Sequence, residues 1–323
     1  MKPTFLIISR DKRSEEMFRK AWIEAAEEIK IKIRLMRRDD GKLMLFFKVL
    51  FNRFKGSKLG TFGVSESLFL CILKPDLLLF SGLGRLLDKD SRPRKILFNL
   101  LITTCRHSIV VCLNNDDYRI LNAIGFTRVY RINGEGYIKK TAGEKPIIKK
   151  GDFLFIGRLL KSKGLVQILE SFLKSKLTNC NLYVVGDQDF GNSDSLSQQQ
   201  INFYQKKSNN LIHFCGFKSD LSRFYTPDAI YVSASKREGM SFSVLEALDN
   251  NMMCFLSRVP GHKDLANFTN VKLFKDSDEL TKLMTASKHD INNLVTSKPQ
   301  LNIYSKESVK LQIKNIYKEM LYA

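Results

Sequence analysis

The chain has 323 residues, 44% hydrophobic, 11% aromatic and 27% charged, a balance that supports a sizeable core and excludes disorder, a collagen-like rod and a small disulfide scaffold. Lys and Arg number 53 against 33 Asp and Glu, a net charge of +20, and residues 1–150 hold 31 basic against 16 acidic side chains, a net of +15, which favours an anionic partner. No apolar run approaches the roughly 20 residues of a spanning helix. The scattered cysteines (Cys71, Cys105, Cys112, Cys180, Cys215 and Cys254) form no C-x-x-C pair, so a reducing cytoplasm is expected, with neither a metal nor a disulfide framework.

In chain order, apolar runs at 5–9, 32–36, 77–80, 109–113 and 128–132 read as strands, and 15–29 reads as a helix. Residues 43–54 read as a cationic amphipathic helix. Leu43, Phe46, Phe47, Leu50, Phe51 and Phe54 recur at helical spacing, Lys48, Asn52 and Lys55 fall on another face, and Lys42, Arg53, Arg34, Arg37, Arg38 and Lys58 lie nearby. That is the pattern of an interfacial membrane helix, with Phe46, Phe47, Lys48, Phe51 and Lys55 as expected contacts to an anionic membrane surface. The alternative is a helix that packs its Phe face on the domain core. Gly82 and Gly84 follow one strand, and Asn114, Asp116 and Asp117 follow another. Ligand sites of open α/β sheets lie at such strand ends, though ordinary turn chemistry explains these residues equally well.

The polar stretch 139–151, with Gly143 and Pro146, reads as a linker. Strands resume at 153–156, 182–185, 212–215, 229–232 and 253–257. Many are apolar on both faces, as buried parallel strands must be. The expected fold class is therefore α/β, with two Rossmann-like domains at about 1–140 and 147–305 and an amphipathic helix over 306–322.

Two segments of the second half carry chemistry. Residues 153–164 give a strand, a turn at Gly157, the cations Arg158 and Lys163, and a helix start after Gly164. Cations beside free helix N–H groups suit a diphosphate, although a turn with solvated basic residues fits as well. In residues 231–247, Glu238 follows a strand and precedes Gly239, and Ser241 or Ser243 opens a helix that carries Glu246. Loop amides there would meet phosphates, and Glu246 would be available to sugar hydroxyls. Two glutamates at that spacing alone would read as solvated helix charges; the preceding strand and the intervening sequence favour a site. His107 precedes a strand, His213 lies within one, His262 is in the Pro-Gly-His-Lys turn and His289 reads as exposed; a general base at His107 is the alternative to a structural or surface role.

Taken together, these residues resemble the retaining GT-B glycosyltransferases of family 4. Gly157-Arg158…Lys163-Gly164 is similar to the family's diphosphate segment and Glu238…Glu246 to its E-x7-E motif; the segments ending at Asp187, Asp220 and Asp264 fall in the expected order. Residues 74–85, 110–117 and 132–136 resemble the branch that assembles bacterial O-antigen, capsule or glycoprotein-linked oligosaccharides on undecaprenyl diphosphate, often from UDP-hexoses or UDP-N-acetylhexosamines. The resemblance spans about residues 75–270.

It implies a GT-B fold with the active site in a cleft between two Rossmann-like domains. It also implies sugar transfer with retention from a nucleotide-sugar donor to an undecaprenyl-diphosphate-linked saccharide. Arg158 and Lys163 would neutralise the leaving diphosphate in place of Mg²⁺, so no metal or other cofactor is expected. Glu238 would sit at the transferred sugar and Glu246 at the ribose. Gly157, Gly239, Met240, Ser241 and Phe242 would line the phosphates, and Gly216 and Phe217 would bound the base. Gly82, Gly84, Asn114 and Asp117 would face the acceptor. The enzyme would be cytoplasmic, peripheral on the inner face of the bacterial plasma membrane.

One departure stands out. Many members carry a glycine-rich loop after the first strand; here residues 9–16 hold no glycine, and Arg10, Lys12 and Arg13 either face an acceptor phosphate or are merely solvated. Two rival functions fit the charge or the fold. A nucleic-acid-binding protein should interleave basic and stacking aromatic residues, which this chain does not. A catalytically silent GT-B partner subunit sits poorly with intact Arg158, Lys163, Glu238 and Glu246.

Overall fold

Segments rich in Ile, Leu, Val and Phe, apolar on both faces, pair as parallel strands in the structure, a computed structural model that describes residues 4–9, 20–37, 41–83, 92–137, 146–290 and 300–322. The chain divides into two units, Met1–Tyr137 with Asn302–Ala323, and Ile138–Leu301. The first runs β1 (Thr4–Ser9), α1 (Lys20–Glu28), β2 (Lys32–Arg37), α2 (Lys42–Phe54), β3 (Lys58–Phe62), α3 (Val64–Leu70), a 3-10 turn (Cys71–Leu73), β4 (Leu77–Phe80), α4 (Arg92–Cys105), β5 (Ile109–Cys112), α5 (Asn115–Ala123) and β6 (Arg128–Arg131). Its strands lie in the order β2-β1-β3-β4-β5-β6, every pair parallel.

The register places Leu6 opposite Leu59 and Thr61 opposite Leu78, so Leu6, Ile8, Leu59, Leu78 and Phe80 share one sheet face. Leu45 and Val49 of α2 and Leu70 of α3 pack on one part of that face, and Phe98 and Leu101 of α4 on the next. Helices α2, α3 and α4 therefore cover the same side.

The second unit runs β7 (Phe153–Ile156), α6 (Leu165–Lys174), β8 (Leu182–Val185), α7 (Gln198–Lys207), β9 (Ile212–Phe214), β10 (Ile230–Ser233), α8 (Phe242–Asp249), β11 (Met253–Ser257), α9 (Pro260–Lys263), β12 (Val271–Phe274) and α10 (Ser277–Asp290). Its strands are parallel in the order β12-β11-β10-β7-β8-β9. Phe153, Phe155, Val184, Val232 and Phe255 join Leu165, Ile168 and Phe172 of α6 in one core. Of the expected linker, residues 138–145 lie outside the described residues, and the rest is fastened to this unit: Ile147 N–H donates to the Arg223 carbonyl and Gly151 N–H to that of Asp228.

The last helix, α11 (Lys306–Tyr322), belongs to the first unit. Phe5 and Ile7 point to the sheet face opposite α2, and Tyr317 meets Phe5 edge-on at 5.4 Å and Trp22 of α1 at 5.5 Å. The Tyr317 hydroxyl donates to the Trp22 carbonyl at 3.2 Å. Outside this aromatic seam, Lys306 Nζ reaches Glu24 at 2.5 Å and Lys310 Nζ reaches Glu28 at 2.7 Å. Hydrogen bonds from Lys310 and Lys314 hold the Glu28 carboxyl at about 2, well below its ordinary value.

Two strands, β3 and β12, stand where the sequence pattern signals none. Gly60 interrupts the apolar run of β3, yet it is required there: a Cβ would lie 2.5 Å from the Phe5 ring of the neighbouring strand. Strand β12 is a short edge strand with Lys272 exposed, so it lacks the continuous apolar run of a central strand.

Trp22 is the chain's single tryptophan and is fully buried, so its fluorescence reports on the α1–α11 seam. Replacing Tyr317 with Ala should lower the stability read by Trp22 in a denaturant titration by about 3 kcal/mol, the usual cost of emptying a large aromatic site. Tyr317→Phe, which loses one hydrogen bond, should cost about 1 kcal/mol.

Candidate active site

In the second unit the strand order reverses between β7 and β10: β8 and β9 extend to one side of β7, β10 to β12 to the other. The connections leaving the carboxyl ends of β7 and β10 lead to strands on opposite sides of that point, and it is at such a reversal that open α/β sheets hold ligands. Those loops carry the two motifs singled out above. Lys163 closes the 3-10 turn Lys161–Lys163 after β7, and Glu238 lies in the loop after β10. Lys163 Nζ donates to Glu238 Oε1 at 2.6 Å, and the Ser235 hydroxyl donates to the same oxygen at 2.6 Å.

The loops are joined along their backbones as well. Lys236 N–H donates to the Ser162 carbonyl at 3.0 Å, and Ser162 N–H is held by Asp194 Oδ2 at 3.0 Å. Gly164, at φ +71°, ends the turn and caps α6; a Cβ there would lie 1.9 Å from the Ala234 carbonyl oxygen. Only glycine permits this approach.

Burial raises the Glu238 carboxyl, but the Lys163 ammonium and the Ser235 hydroxyl outweigh it, and the net pKa is lowered. Glu238 is thus an anion in a largely dry site. Against its loop packs α9: Gly261 N–H donates to the Glu238 carbonyl at 3.1 Å. His262, fully buried, donates from Nδ1 to the Ser257 carbonyl at 2.9 Å, which fixes the proton on Nδ1 and leaves Nε2 an acceptor with no hydrogen-bond partner among the described residues. Burial lowers its pKa although the Glu238 charge opposes this, so the imidazole is neutral. His262 lies in the segment ending at Asp264, but its place beside the Glu238 loop is visible only in the fold.

The remaining candidates lie in the same two loops, in the loop after β9 and at the start of α8. Arg158 Nη1 donates to Asp189 Oδ2 at 2.6 Å in the loop after β8. Gly157 N–H donates to the Val185 carbonyl, and Gly186 N–H to that of Gly216. Phe217 N–H donates to Asp187 Oδ1 at 2.9 Å, which holds the Gly216–Phe217 turn with the Phe217 ring exposed. Gly239, Met240 and Ser241 lead into α8, where Ser241 is the N-cap and Phe242 the first helical residue. The Tyr231 hydroxyl donates to Ser243 Oγ at 2.7 Å and ties this start to the strand beneath.

Glu246 is the second glutamate of the 231–247 segment. It is buried in α8, and its Oε2 accepts from the Tyr225 hydroxyl at 2.5 Å. Burial and this carboxylate push the Tyr225 phenol far up, so it stays a donor. Tyr225 was not among the candidates, because nothing in its local sequence distinguishes it from a core tyrosine. The chain also contains Asp-x-Asp triplets, beginning at Asp88, Asp187 and Asp276. In the second of these, Asp187 accepts from Phe217 N–H and Asp189 from Arg158 Nη1.

In the first unit, Asn114 caps α5: its Oδ1 accepts from Asp117 N–H and its Nδ2 donates to Asp117 Oδ2, both at 2.8 Å. Leu83 N–H reaches the same Asp117 oxygen at 3.3 Å, which brings the Gly82 turn to this cap. Both polar side chains are buried, so their visible role is to join two loops. Gly84, Arg10, Lys12 and Arg13 lie outside the described residues. His107 is exposed, and His213 stacks on Tyr183 and contacts Asn181.

Residues 139–300, just over half of the chain, match the family model of glycosyl transferases group 1. The chain belongs to this family. No curated protein matches it in sequence. Among solved structures, this group 1 chain is similar to HepE from Anabaena in complex with UDP and glucose (14% identity, 98% of this chain and 100% of that one, TM-score 0.75). It is similar also to sucrose-phosphate synthase from Thermosynechococcus elongatus (13%, 99% and 100%, TM-score 0.78) and to the lipopolysaccharide outer core galactosyltransferase WaaB (13%, 99% and 100%, TM-score 0.55). The two six-stranded parallel sheets are those of the GT-B fold. Membership makes the protein a glycosyltransferase rather than a nucleic-acid-binding protein.

Substitution at Gly164 tests the joined loops. Gly191 also has a positive φ, +80°, but open space around it. Gly191→Ala should cost about 1 kcal/mol, the strain of the backbone alone. Gly164→Ala should cost more in thermal unfolding and lower transferase turnover at least tenfold, because the 161–163 turn must move off Ala234.

Proposed function

We propose that this glycosyltransferase moves a hexose or N-acetylhexosamine, with retention, from a UDP-sugar to a saccharide carried on undecaprenyl diphosphate. The observation that carries the donor half is the Lys163–Glu238 contact at the strand-order reversal. A cation and an anion held there offer one group to a departing diphosphate and one to the hydroxyls of the sugar. Arg158 is half exposed and its pairing with Asp189 is a weak surface contact, so a diphosphate of higher charge can capture it. The start of α8 offers backbone N–H groups to the same phosphates. HepE was solved with UDP and glucose and shares the fold, which supports a uridine donor.

In the reaction the bond from the anomeric carbon to the phosphate oxygen breaks, and the acceptor hydroxyl oxygen bonds to the same face of that carbon. The hydroxyl proton leaves with the phosphate. Negative charge builds on the diphosphate as the bond breaks, and Lys163 and Arg158 stabilise it without a metal. Glu238, ionised and fixed by Ser235, orients the sugar ring, and Glu246 with Tyr225 holds the ribose side of the pocket. Retention and the lipid-linked acceptor rest on the resemblance of the Glu238…Glu246 segment and of residues 74–85, 110–117 and 132–136 to that branch; WaaB, a lipopolysaccharide enzyme, is among the proteins of similar fold.

A thermal-shift screen of UDP-, GDP- and dTDP-sugars should show stabilisation by a UDP-sugar, since a bound donor stabilises by mass action. With that donor, Arg158→Ala and Lys163→Ala should each reduce turnover about 10²-fold or more, the scale of losing one electrostatic stabiliser. Turnover should survive excess EDTA. Near-normal turnover in both folded variants, or activity lost to EDTA and restored by Mg²⁺, would contradict this chemistry.

A further inference from the structure

In the first unit, α2 presents an apolar face that its packing does not use. At about 100° per residue, Leu43, Met44, Phe47, Phe51 and Phe54 fall within one arc about 100° wide. These five side chains are between 51% and 83% exposed. The core is met from the opposite side of the helix, by Leu45 and Val49. Phe46 turns inward and packs edge-on to Phe69 of α3, so it leaves the outer face that the sequence pattern assigned to it.

The same side of the sheet carries more of this surface. Ile96, Leu97 and Leu100 of α4 lie on one arc and are 41–70% exposed, while Phe98 and Leu101 face the core. Ile72, in the turn between α3 and β4, is 59% exposed. Single exposed apolar residues are ordinary; eight on two helices over one sheet face, with Ile72 in the segment between them, are not.

Charge selects the occupant. Helix α2 contains Lys42, Lys48 and Arg53, and α4 contains Arg92, Arg94 and Lys95; neither contains an acidic residue. Arg53 is spent on Asp76, but Lys42, Lys48 and Lys55 are exposed. Lys48 and Lys55 border the Phe arc, with Lys55 Nζ 4.2 Å from the centre of the Phe51 ring. A two-fold pairing of this face with a second copy would set lysines against lysines. An acidic lipid surface satisfies both the cations and the apolar arc.

We propose that the outer face of α2, Ile72 and α4 docks the first unit on an anionic lipid bilayer. Helix α2 lies in the interface plane, its Phe arc below the headgroups and Lys48 and Lys55 among them. No helix among the described residues is long and apolar enough to cross a membrane, so the contact is a surface one. This face lies on the first unit alone and is independent of which donor or acceptor is used.

The test is co-sedimentation of the full chain with phosphatidylglycerol-containing and with pure phosphatidylcholine vesicles, with sedimentation velocity in parallel. Binding is expected to the anionic vesicles only and should weaken with added salt. Phe47→Ser/Phe51→Ser, Leu97→Ser/Leu100→Ser and Lys48→Glu/Lys55→Glu should each reduce the partition coefficient at least tenfold, with the melting temperature and UDP-sugar binding in solution unchanged. Phe203→Ser, at an exposed aromatic of the second unit, should change nothing. Absence of binding to either vesicle, equal binding to both, or indifference to the Phe and Lys changes would overturn the proposal. So would a concentration-dependent dimer, abolished by Phe47→Ser/Phe51→Ser in a protein that ignores vesicles, which would give the face to a second copy.

Discussion

The contact of Lys163 with Glu238 is the constraint around which the second unit is arranged. A carboxylate this dry is costly unless a cation and a hydrogen bond compensate it, and Lys163 and Ser235 are those partners. The two loops can meet only because β7 and β10 are neighbours although 73 residues separate Ile156 from Ile230 in the chain. Gly164 against Ala234 and Lys236 against Ser162 then fix the loops to within hydrogen-bond distance. The charge pair thus depends on topology: the sheet reverses its order between β7 and β10, and this chain sets opposite charges on the two loops that meet there.

A similar economy shapes the first unit. Its sheet is covered on one side by α2, α3 and α4 and on the other by α1 and α11, the last drawn from the far end of the sequence. Tyr317, Trp22 and Phe5 make that seam apolar, and Lys306, Lys310 and Lys314 with Glu24 and Glu28 line its rim. These pairs are partly shielded from water, with Lys310 buried among them, and they set the register of α11 on α1. With both faces of the sheet covered, the outward Phe arc of α2 is left without a role in the fold.

Most of the architecture was legible in the sequence because central parallel strands are continuous apolar runs. Residues 77–80, 153–156, 182–185 and 253–257 coincide with β4, β7, β8 and β11. The strands that escaped notice lack that signal: β3 contains Gly60, whose use is visible only with Phe5 beside it, and β12 is an edge strand of mixed polarity. At the site, Lys163 and Glu238 could be named from their motifs, but their contact could not, since pairing across 75 positions is set by the sheet. Tyr225, Ser235 and His262 were illegible for the same reason. Each looks like an ordinary core residue until the fold brings it to a charged neighbour. Phe46 shows the limit of periodicity: it shares the spacing of Phe47, yet one step of about 100° around the helix turns it to the core.

That Lys163 and Glu238 work as a unit is tested most directly by a double-mutant cycle. The variants Lys163→Met, Glu238→Gln and their combination are compared by kcat/KM with a UDP-sugar, with folding checked for each by circular dichroism and by thermal unfolding. If the pair acts together, each single change removes most of the activity and the double variant is little worse than the poorer single one. Losses that simply add in free energy would show two independent residues and contradict the central claim.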